Sequence, residues 1–311
     1  MTKPGTNPGT TNPEHEWLEV IVPVKVALAD GVANELVQEV GAAQNGVEVR
    51  KGSVVFWVDP LGIEATLVET RACLRRLASE GWDVDADRLR PGDLAPEEDW
   101  RDAWKKFFHT TRLTRQIVVV PSWESYEPSA ADITIDLDPG QAFGTGSHAS
   151  TQLVLETLQE LIDAKQLRTP ARVFDLGTGS GILAIAAAKF WPRTQIVATD
   201  IDPLAMKATR ENAENNHVAA RIEASTTDLT AVKQDFPLVL ANLQAHILRD
   251  LRDDLLPRVL RGGTLLLSGI LSTQIRPLVD FYCETEVMEL VGIRQSQLNT
   301  EWSSAHLRRV P

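Results

Sequence analysis

The chain has 311 residues, of which 43% are hydrophobic, and this length and composition suit a globular protein of two domains. Its formal net charge of −12 disfavours a broad nucleic-acid-binding face, and it suits either a basic partner or simple solubility. No apolar run reaches the roughly 18 residues of a membrane span, and the two cysteines lack metal-ligand spacing. We therefore expect no membrane, no bound metal and a cytoplasmic location.

The first third of the chain predicts a tail and a small domain. Residues 1–16 are polar and rich in Pro, Gly and Thr, which is typical of a disordered tail. Residues 17–90 follow the order strand, helix, strand, strand, helix, strand. The segments are "WLEVIVPV", "ADGVANELVQEVG", "VEVRKGSVVFWVDP" with two strands, "EATLVETRACLRRLASEG" and "WDVDADRLR". This order predicts an α+β ferredoxin-like domain, a unit most often used for binding.

Residues 91–108 open with turn residues and continue as a charged helical stretch, with Trp100, Trp104 and Phe108 on one face. We interpret the stretch as a linker with a connector helix; the alternative is a helix of the next domain. Residues 109–311 form the second predicted domain: from Arg172 onward short β-rich runs alternate with helical segments, and the chain ends in two strands joined by a turn. This pattern predicts an α/β domain with a doubly wound, mostly parallel seven-stranded sheet and an antiparallel edge hairpin.

The segment "VFDLGTGSG" carries a glycine loop between a strand and a helix. Its glycines are Gly177, Gly179 and Gly181. The dinucleotide fingerprint requires a third small residue where this chain has Ile182, and Asp175 at the strand end disfavours a phosphate but suits a cationic ligand. Asp200 ends the next strand, where a ribose diol would be bound. A ligand with a ribose, an adenine, no phosphate and a positive charge is S-adenosylmethionine; a nicotinamide dehydrogenase and a purely structural turn are the alternatives.

Asn242 lies at the carboxyl end of the fourth strand, in "LVLANLQAH". At that edge of an open α/β sheet, ligands collect beside the point where the strand order reverses. The amide carbonyl of Asn242 could accept a hydrogen bond from an amine nucleophile. An Asn at a strand end also commonly caps the following helix, and the sequence leaves both readings open.

Several stretches together resemble one family, the ribosomal protein L11 methyltransferases. They are "WKKFFHTTRLTRQIVVVPSW", "LDPGQAFGTGSHAST", "VFDLGTGSGILAIAA", "TDIDPLA", "ANLQAHIL" and "GGTLLLSGIL". The resemblance covers most of residues 100–275, and the "AFGTG" element is more specific than the glycine loop. The N-terminal unit resembles the family's substrate-recognition domain by pattern rather than by motif.

The resemblance implies a class I methyltransferase that uses S-adenosylmethionine to methylate lysine side chains and the N-terminal α-amine of ribosomal protein L11. It implies that Asn242 holds the nucleophile and that Phe143, in a loop closing over the cofactor, stacks near the sulfonium or the acceptor nitrogen. These two are the predicted catalytic residues. The predicted cofactor-binding residues are Phe143, Gly144, Thr145, Thr151, Asp175, Gly177, Gly179, Asp200 and Asn242. Phe143 could instead only fill space within the loop. We interpret His148 as a cap of the loop or of the next helix rather than as a base.

One departure concerns the residues after Asn242, where the family commonly has an Ile-Leu pair followed by small residues. This chain has Leu243, Gln244, Ala245 and His246, so the wall beside the acceptor is more polar. Three alternatives follow: a methyltransferase for another protein, a methyltransferase for a small-molecule amine, and a non-catalytic cofactor-binding sensor. A monomer is favoured.

Overall fold

The structure is a computed structural model that describes residues 16–58, 63–96, 109–138, 148–167, 169–284 and 286–311. The chain divides into two compact units, Met1–Phe107 and Phe108–Pro311. The predicted tail lies outside the described residues as far as residue 15, while Glu16 already begins a strand. Residues 97–108 of the predicted connector also lie outside them. Within the described ranges, no helix combines the length and the apolar character that crossing a membrane requires.

The N-terminal unit has the predicted βαββαβ order. Its elements are β1 (Glu16–Pro23), α1 (Ala29–Glu39), β2 (Val47–Arg50), β3 (Ser53–Val58), α2 (Ile63–Ser79) and β4 (Arg90–Pro96). The strands pair antiparallel in the order β2-β3-β1-β4. Alternation along β1 buries Val20 and Val22, and the helical spacing of Val32 and Leu36 buries one face of α1. The element order predicted from the sequence is confirmed.

The position that the sequence predicted for the last strand of this unit was wrong. "WDVDADRLR" contains a short 3-10 turn at Ala86–Arg88 instead, because the Asp85 carboxylate accepts a hydrogen bond from the backbone N–H of Asp87. Such a local bond competes with strand pairing. Strand β4 begins only at Arg90 and runs to Pro96, through residues predicted as turn. It is an edge strand, where prolines are tolerated. The sheet therefore extends to Pro96, past residue 90, where the domain was predicted to end.

The second unit begins with a small sheet that the sequence analysis did not predict. It contains β5 (Thr111–Arg112), β6 (Ile117–Val120) and β7 (Ile133–Asp136), in the order β5-β6-β7. Strands β6 and β7 are parallel. Ile117 and Ile135 are fully buried in the same core as the large sheet of this unit, so the small sheet extends that core.

The rest of the unit is the predicted seven-stranded sheet. Its elements are α3 (Ala149–Asp163), β8 (Arg172–Leu176), α4 (Ile182–Phe190), β9 (Gln195–Thr199), α5 (Pro203–Asn215), β10 (Ile222–Ser225), β11 (Phe236–Asn242), α6 (Ala245–Leu255), β12 (Val259–Leu271), α7 (Ile275–Cys283), β13 (Met288–Gln295) and β14 (Trp302–Arg309). The strand order is β10-β9-β8-β11-β12-β14-β13. Only β14 pairs antiparallel, with β12 and β13, which confirms the doubly wound, mostly parallel sheet and its edge hairpin.

Helices cover both faces of this sheet, and each face has its own core. Val173 of β8 packs in one core with Leu155 of α3 and Ile185 of α4, while Phe174 packs in the other with Leu248 of α6. Such two-sided burial explains why the adjacent residues Val173 and Phe174 of β8 are both apolar. The strand order reverses between β8 and β11, so their carboxyl ends and that of β9 border the crevice where ligands bind in such sheets.

Candidate functional site

The glycine loop after β8 makes a turn that needs glycine. Gly177 has φ +69°, and a Cβ at this position would lie 2.4 Å from Leu243 Cδ2. A side chain would therefore meet both left-handed backbone strain and a steric clash. Leu243, the first residue of the departure from the family pattern, thus packs on the loop backbone.

The backbone amides of the loop point into the protein. Gly177 N and Thr178 N both donate to Thr199 O, at 2.8 and 3.1 Å. Gly179 N donates to Asp200 Oδ2 at 3.0 Å, and Gly181 N donates to Thr178 O at 2.9 Å. In the first turn of α4, Ala184 N donates to Asp175 Oδ2 at 3.1 Å. A pyrophosphate would need such amides as donors at the helix N-terminus. Because these five amides already have intramolecular acceptors, they are not available as donors to a pyrophosphate, which disfavours a dinucleotide.

Helix α5 braces the same loop through its side chains. Thr209 Oγ1 donates to Gly179 O at 2.8 Å, and Asn212 Nδ2 donates to Ser180 O at 2.9 Å. The loop is held by β9 and α5 as well as by its own strand. Its shape is therefore set before any ligand binds, which lowers the ordering cost of binding.

Asp175 is the buried acid of the site, with 1% exposure. Its Oδ2 accepts hydrogen bonds from Thr178 Oγ1 at 2.6 Å and from Ala184 N, while Oδ1 has no hydrogen-bond partner among the described residues. Burial raises the pKa of this carboxyl to about 7, against the lowering effect of those two bonds, and Asp200 adds to the rise. A cation close to Oδ1 would favour the ionised form.

Asp200 follows β9 and is held in one orientation. Its Oδ2 accepts from Gly179 N at 3.0 Å and its Oδ1 accepts from Asp202 N at 3.1 Å. Each oxygen keeps acceptor capacity for a ligand hydroxyl. Burial raises the pKa of Asp200. The next residue, Ile201, is 88% exposed; it is an apolar group at the rim of the crevice that the sequence analysis did not single out.

Asn242 ends β11 and is 7% exposed. Its Nδ2 donates to Thr151 Oγ1 at 3.3 Å, and its Oδ1 has no hydrogen-bond partner among the described residues. The side chain does not cap α6, whose N-cap residue is Gln244. Of the two readings left open by the sequence, the structure thus leaves the carbonyl oxygen as an acceptor for a ligand.

The first turn of α3 lies against the strand ends. His148 is the N-cap, as the sequence suggested, and its Nδ1 accepts from Ser150 N at 3.2 Å. Ser268 Oγ of β12 donates to Ser150 O at 2.8 Å, and Thr151 accepts from Asn242. Side chains from α3, β11 and β12 therefore form one bonded cluster at the crevice.

The structure brings most of the predicted site residues to one edge of the sheet. They are Thr151, Asp175, Gly177, Gly179, Asp200 and Asn242. Phe143, Gly144 and Thr145 lie outside the described residues, so their roles remain predictions.

Gly269 is a further site residue that the sequence analysis did not identify. It has φ +79°, and a Cβ there would lie 2.7 Å from Leu243 O and 3.0 Å from Asn242 Oδ1. Its absence of a side chain leaves room for the Asn242 amide. A single glycine inside a strand often marks such a close approach, and "LLLSGIL" carries that signal.

We expect Gly269→Ala to displace the Asn242 side chain, because the added methyl overlaps its oxygen. Gly262→Ala is the matched control, since Gly262 has φ +73° but no atom within 4 Å of its Cβ position. Both variants should lower the free energy of unfolding by about 1 to 2 kcal/mol through left-handed backbone strain, and Gly269→Ala by more, because its Cβ also meets Leu243 O. Only Gly269→Ala should shift the Asn242 side-chain amide resonance in an NMR spectrum. Equal shifts in both variants, or none, would contradict the proposed contact.

Comparisons with known proteins identify the family of this chain. The sequence profile of the family described as ribosomal protein L11 methyltransferase (PrmA) matches residues 16–309. The ribosomal protein L11 methyltransferase of Pelobacter propionicus is 35% identical over 94% of this chain and 97% of its own length, and that of Geobacter metallireducens is 36% identical over 92% and 96%. A crystal structure of ribosomal protein L11 methylase from Lactobacillus delbrueckii subsp. bulgaricus is 33% identical with a TM-score of 0.57, covering 66% of this chain and all of that one. This chain therefore belongs to the ribosomal protein L11 methyltransferase family and has the class I methyltransferase fold.

Proposed function

We propose that this protein transfers methyl groups from S-adenosylmethionine to amino groups of ribosomal protein L11, namely lysine side chains and the N-terminal α-amine. One observation carries the proposal: two buried oxygens, Asp175 Oδ1 and Asn242 Oδ1, lack hydrogen-bond partners among the described residues. Buried acceptors are nearly always satisfied, so two at one crevice point to ligand N–H groups. Membership of the family supports the choice of acceptor protein.

The residues present fit S-adenosylmethionine. Asp200 would accept hydrogen bonds from the ribose diol, since both oxygens are oriented by backbone amides. The exposed side chain of Ile201 would pack on the adenine. Asp175 Oδ1 would pair with the ammonium group of the amino-acid portion, and the occupied amides of the glycine loop disfavour a phosphate. The same filled amides disfavour the alternative of a nicotinamide dehydrogenase.

When bound, S-adenosylmethionine supplies an electrophilic methyl group on a good leaving group, so the protein mainly has to position the acceptor amine. Asn242 Oδ1 would accept one N–H bond and direct the nitrogen lone pair along the line of attack. A lysine with a reference pKa near 10.4 must first lose a proton, which costs about 4 to 5 kcal/mol at pH 7. Burial of the acceptor amine in the crevice would lower this cost, because burial disfavours the ammonium form.

We also propose that the cofactor is bound by Phe143, Gly144, Thr145 and Thr151. Phe143 would cover the reacting centre with an aromatic face, which stabilises a nearby cation. Thr151 lies within hydrogen-bond distance of Asn242, so it would line the same part of the site. We further propose that the protein acts in the cytoplasm and as a monomer.

The function is tested by mass spectrometry of ribosomal protein L11 after incubation with this protein and S-adenosylmethionine. We expect stepwise mass gains of one methylene each, and we expect Asn242→Ala to lose them while it still binds the cofactor. Removing one positioned acceptor should lower kcat about a hundredfold. Cofactor binding by calorimetry without any mass gain in the parent protein would move the function to another acceptor or to a sensor role.

A second experiment tests the role of Asp175. Its folded-state pKa is raised from 3.8 to about 7, so below pH 7 the carboxyl is mostly neutral and must ionise to bind a cation. The dissociation constant of S-adenosylmethionine should therefore rise by up to about tenfold for each pH unit below 7, and level off above it. Calorimetry between about pH 6 and pH 8 measures this.

Asp175→Asn should bind S-adenosylmethionine more weakly and without that dependence on pH. Asp202→Asn is the matched control, because Asp202 caps α5 and Asn replaces Asp well at an N-cap. It should keep the parental pH profile. If the parent and Asp175→Asn gave the same profile, Asp175 would not contact the cation.

We propose that the N-terminal domain, predicted at residues 17–90 and continued by β4, recognises the protein substrate. Residues 16–96 contain 14 acidic and 8 basic side chains, a balance that suits a basic partner. Removing residues 17–96 should abolish methylation of ribosomal protein L11 and leave the affinity for S-adenosylmethionine unchanged. Unaltered turnover of ribosomal protein L11 by the truncated protein would refute this role.

A further inference from the structure

The N-cap of α3 is an unusual group for its position. Asn, Asp, Ser and Thr are the common N-cap residues, yet α3 is capped by the imidazole of His148. Nδ1 accepts from Ser150 N at 3.2 Å and lies 2.6 Å from Ser150 Oγ. A ring nitrogen can accept a hydrogen bond only when it carries no proton, so the cap requires the acceptor form at Nδ1.

The surroundings of His148 keep the ring neutral and fixed. The side chain is buried, with 5% exposure, and burial lowers its pKa to about 4. Its ring makes an edge-to-face contact with Trp302 of β14, with centroids 4.6 Å apart and an interplanar angle of 72°. The edge hairpin of the sheet thereby supports the helix cap from the side.

The capped turn continues directly to Asn242. Ser150, whose N–H binds the His148 ring, also accepts at its carbonyl from Ser268 Oγ, and Ser268 is completely buried. The next residue, Thr151, accepts from Asn242 Nδ2 at 3.3 Å. This bond holds the amide nitrogen of Asn242 and leaves Oδ1 as the end available to a ligand.

We propose that His148 is a positioning residue for methyl transfer: its neutral imidazole, supported by Trp302, fixes the first turn of α3 so that Thr151 holds Asn242 with Oδ1 towards the acceptor amine. The inference rests on the proposed function, because it assigns a purpose to the orientation of Asn242. It assigns His148 no contact with the cofactor or the acceptor.

Two substitutions separate the cap from the packing. His148→Asn keeps an acceptor at the N-cap but removes the ring, whereas His148→Phe keeps the ring contact with Trp302 but removes the acceptor. His306→Phe is the control, because His306 is also a buried histidine and lies on β14, four residues from Trp302. All three variants are compared with the parent by thermal unfolding before any other measurement.

With ribosomal protein L11 as acceptor, His148→Phe should lower kcat about ten- to a hundredfold and leave the affinity for S-adenosylmethionine within about threefold. His148→Asn should recover most of the parental kcat, since it restores the cap. His306→Phe should change the melting temperature without changing kcat. Parental kcat in a folded His148→Phe, or equal losses in His148→Asn and His148→Phe, would overturn the proposal.

A spectroscopic readout keeps the inference testable if ribosomal protein L11 is not the acceptor. The side-chain amide resonance of Asn242, assigned by its absence in Asn242→Ala, is measured in protein saturated with S-adenosylhomocysteine. It should shift in His148→Phe, return towards its parental position in His148→Asn and stay in place in His306→Phe. An unchanged resonance in His148→Phe would refute the positioning role, whereas absent turnover in the parent would refute only the proposed function.

Discussion

The buried carboxylate of Asp175 joins the end of β8 to the start of α4, because its Oδ2 accepts from both Thr178 Oγ1 and Ala184 N. These bonds occupy a donor that a helix N-terminus would otherwise offer to an anion. With Oδ2 engaged, Oδ1 remains buried without a partner among the described residues. The same side chain therefore removes one possible donor to a phosphate and leaves an acceptor that suits a cation. This single arrangement supports the proposal that the ligand is a cationic nucleoside.

The remaining site residues depend on that loop. The turn at Gly177 lets Leu243 pack on its backbone, which sets where the chain goes after Asn242. The amide of Gly179 orients Asp200. In this way the acids at the ends of β8 and β9 and the amide at the end of β11 keep fixed relative positions. An enzyme whose catalysis is mainly positioning needs such rigidity, since small displacements of reacting groups cost large factors in rate.

Much of the fold could be predicted from the sequence because its signals are local. Apolar alternation and helical spacing indicated β1 and α1, and short β-rich runs between helical segments indicated the strands of the large sheet. The glycine loop with Asp200 indicated the ligand class. The last strand of the first unit was misplaced because Asp85 forms a local cap that no hydrophobic pattern records. The strands β5 to β7 are short, and their pairing joins segments that local patterns do not connect. Residues close in the chain were thus easier to predict than contacts between distant segments.

The same distinction applies within the site. Asp175, Asp200 and Asn242 were predicted because each lies at or next to the carboxyl end of a strand, and the topology of a parallel sheet brings strand ends together. The orientation of the Asn242 amide could not be predicted in this way, because it depends on Thr151 from a helix 91 residues earlier and on the missing side chain of Gly269. The sequence therefore indicates which groups meet at the crevice, whereas the three-dimensional packing decides which atom of each group faces the ligand. For an amide, whose two ends have opposite hydrogen-bonding character, that choice separates an acceptor for an amine from a donor that would repel its N–H.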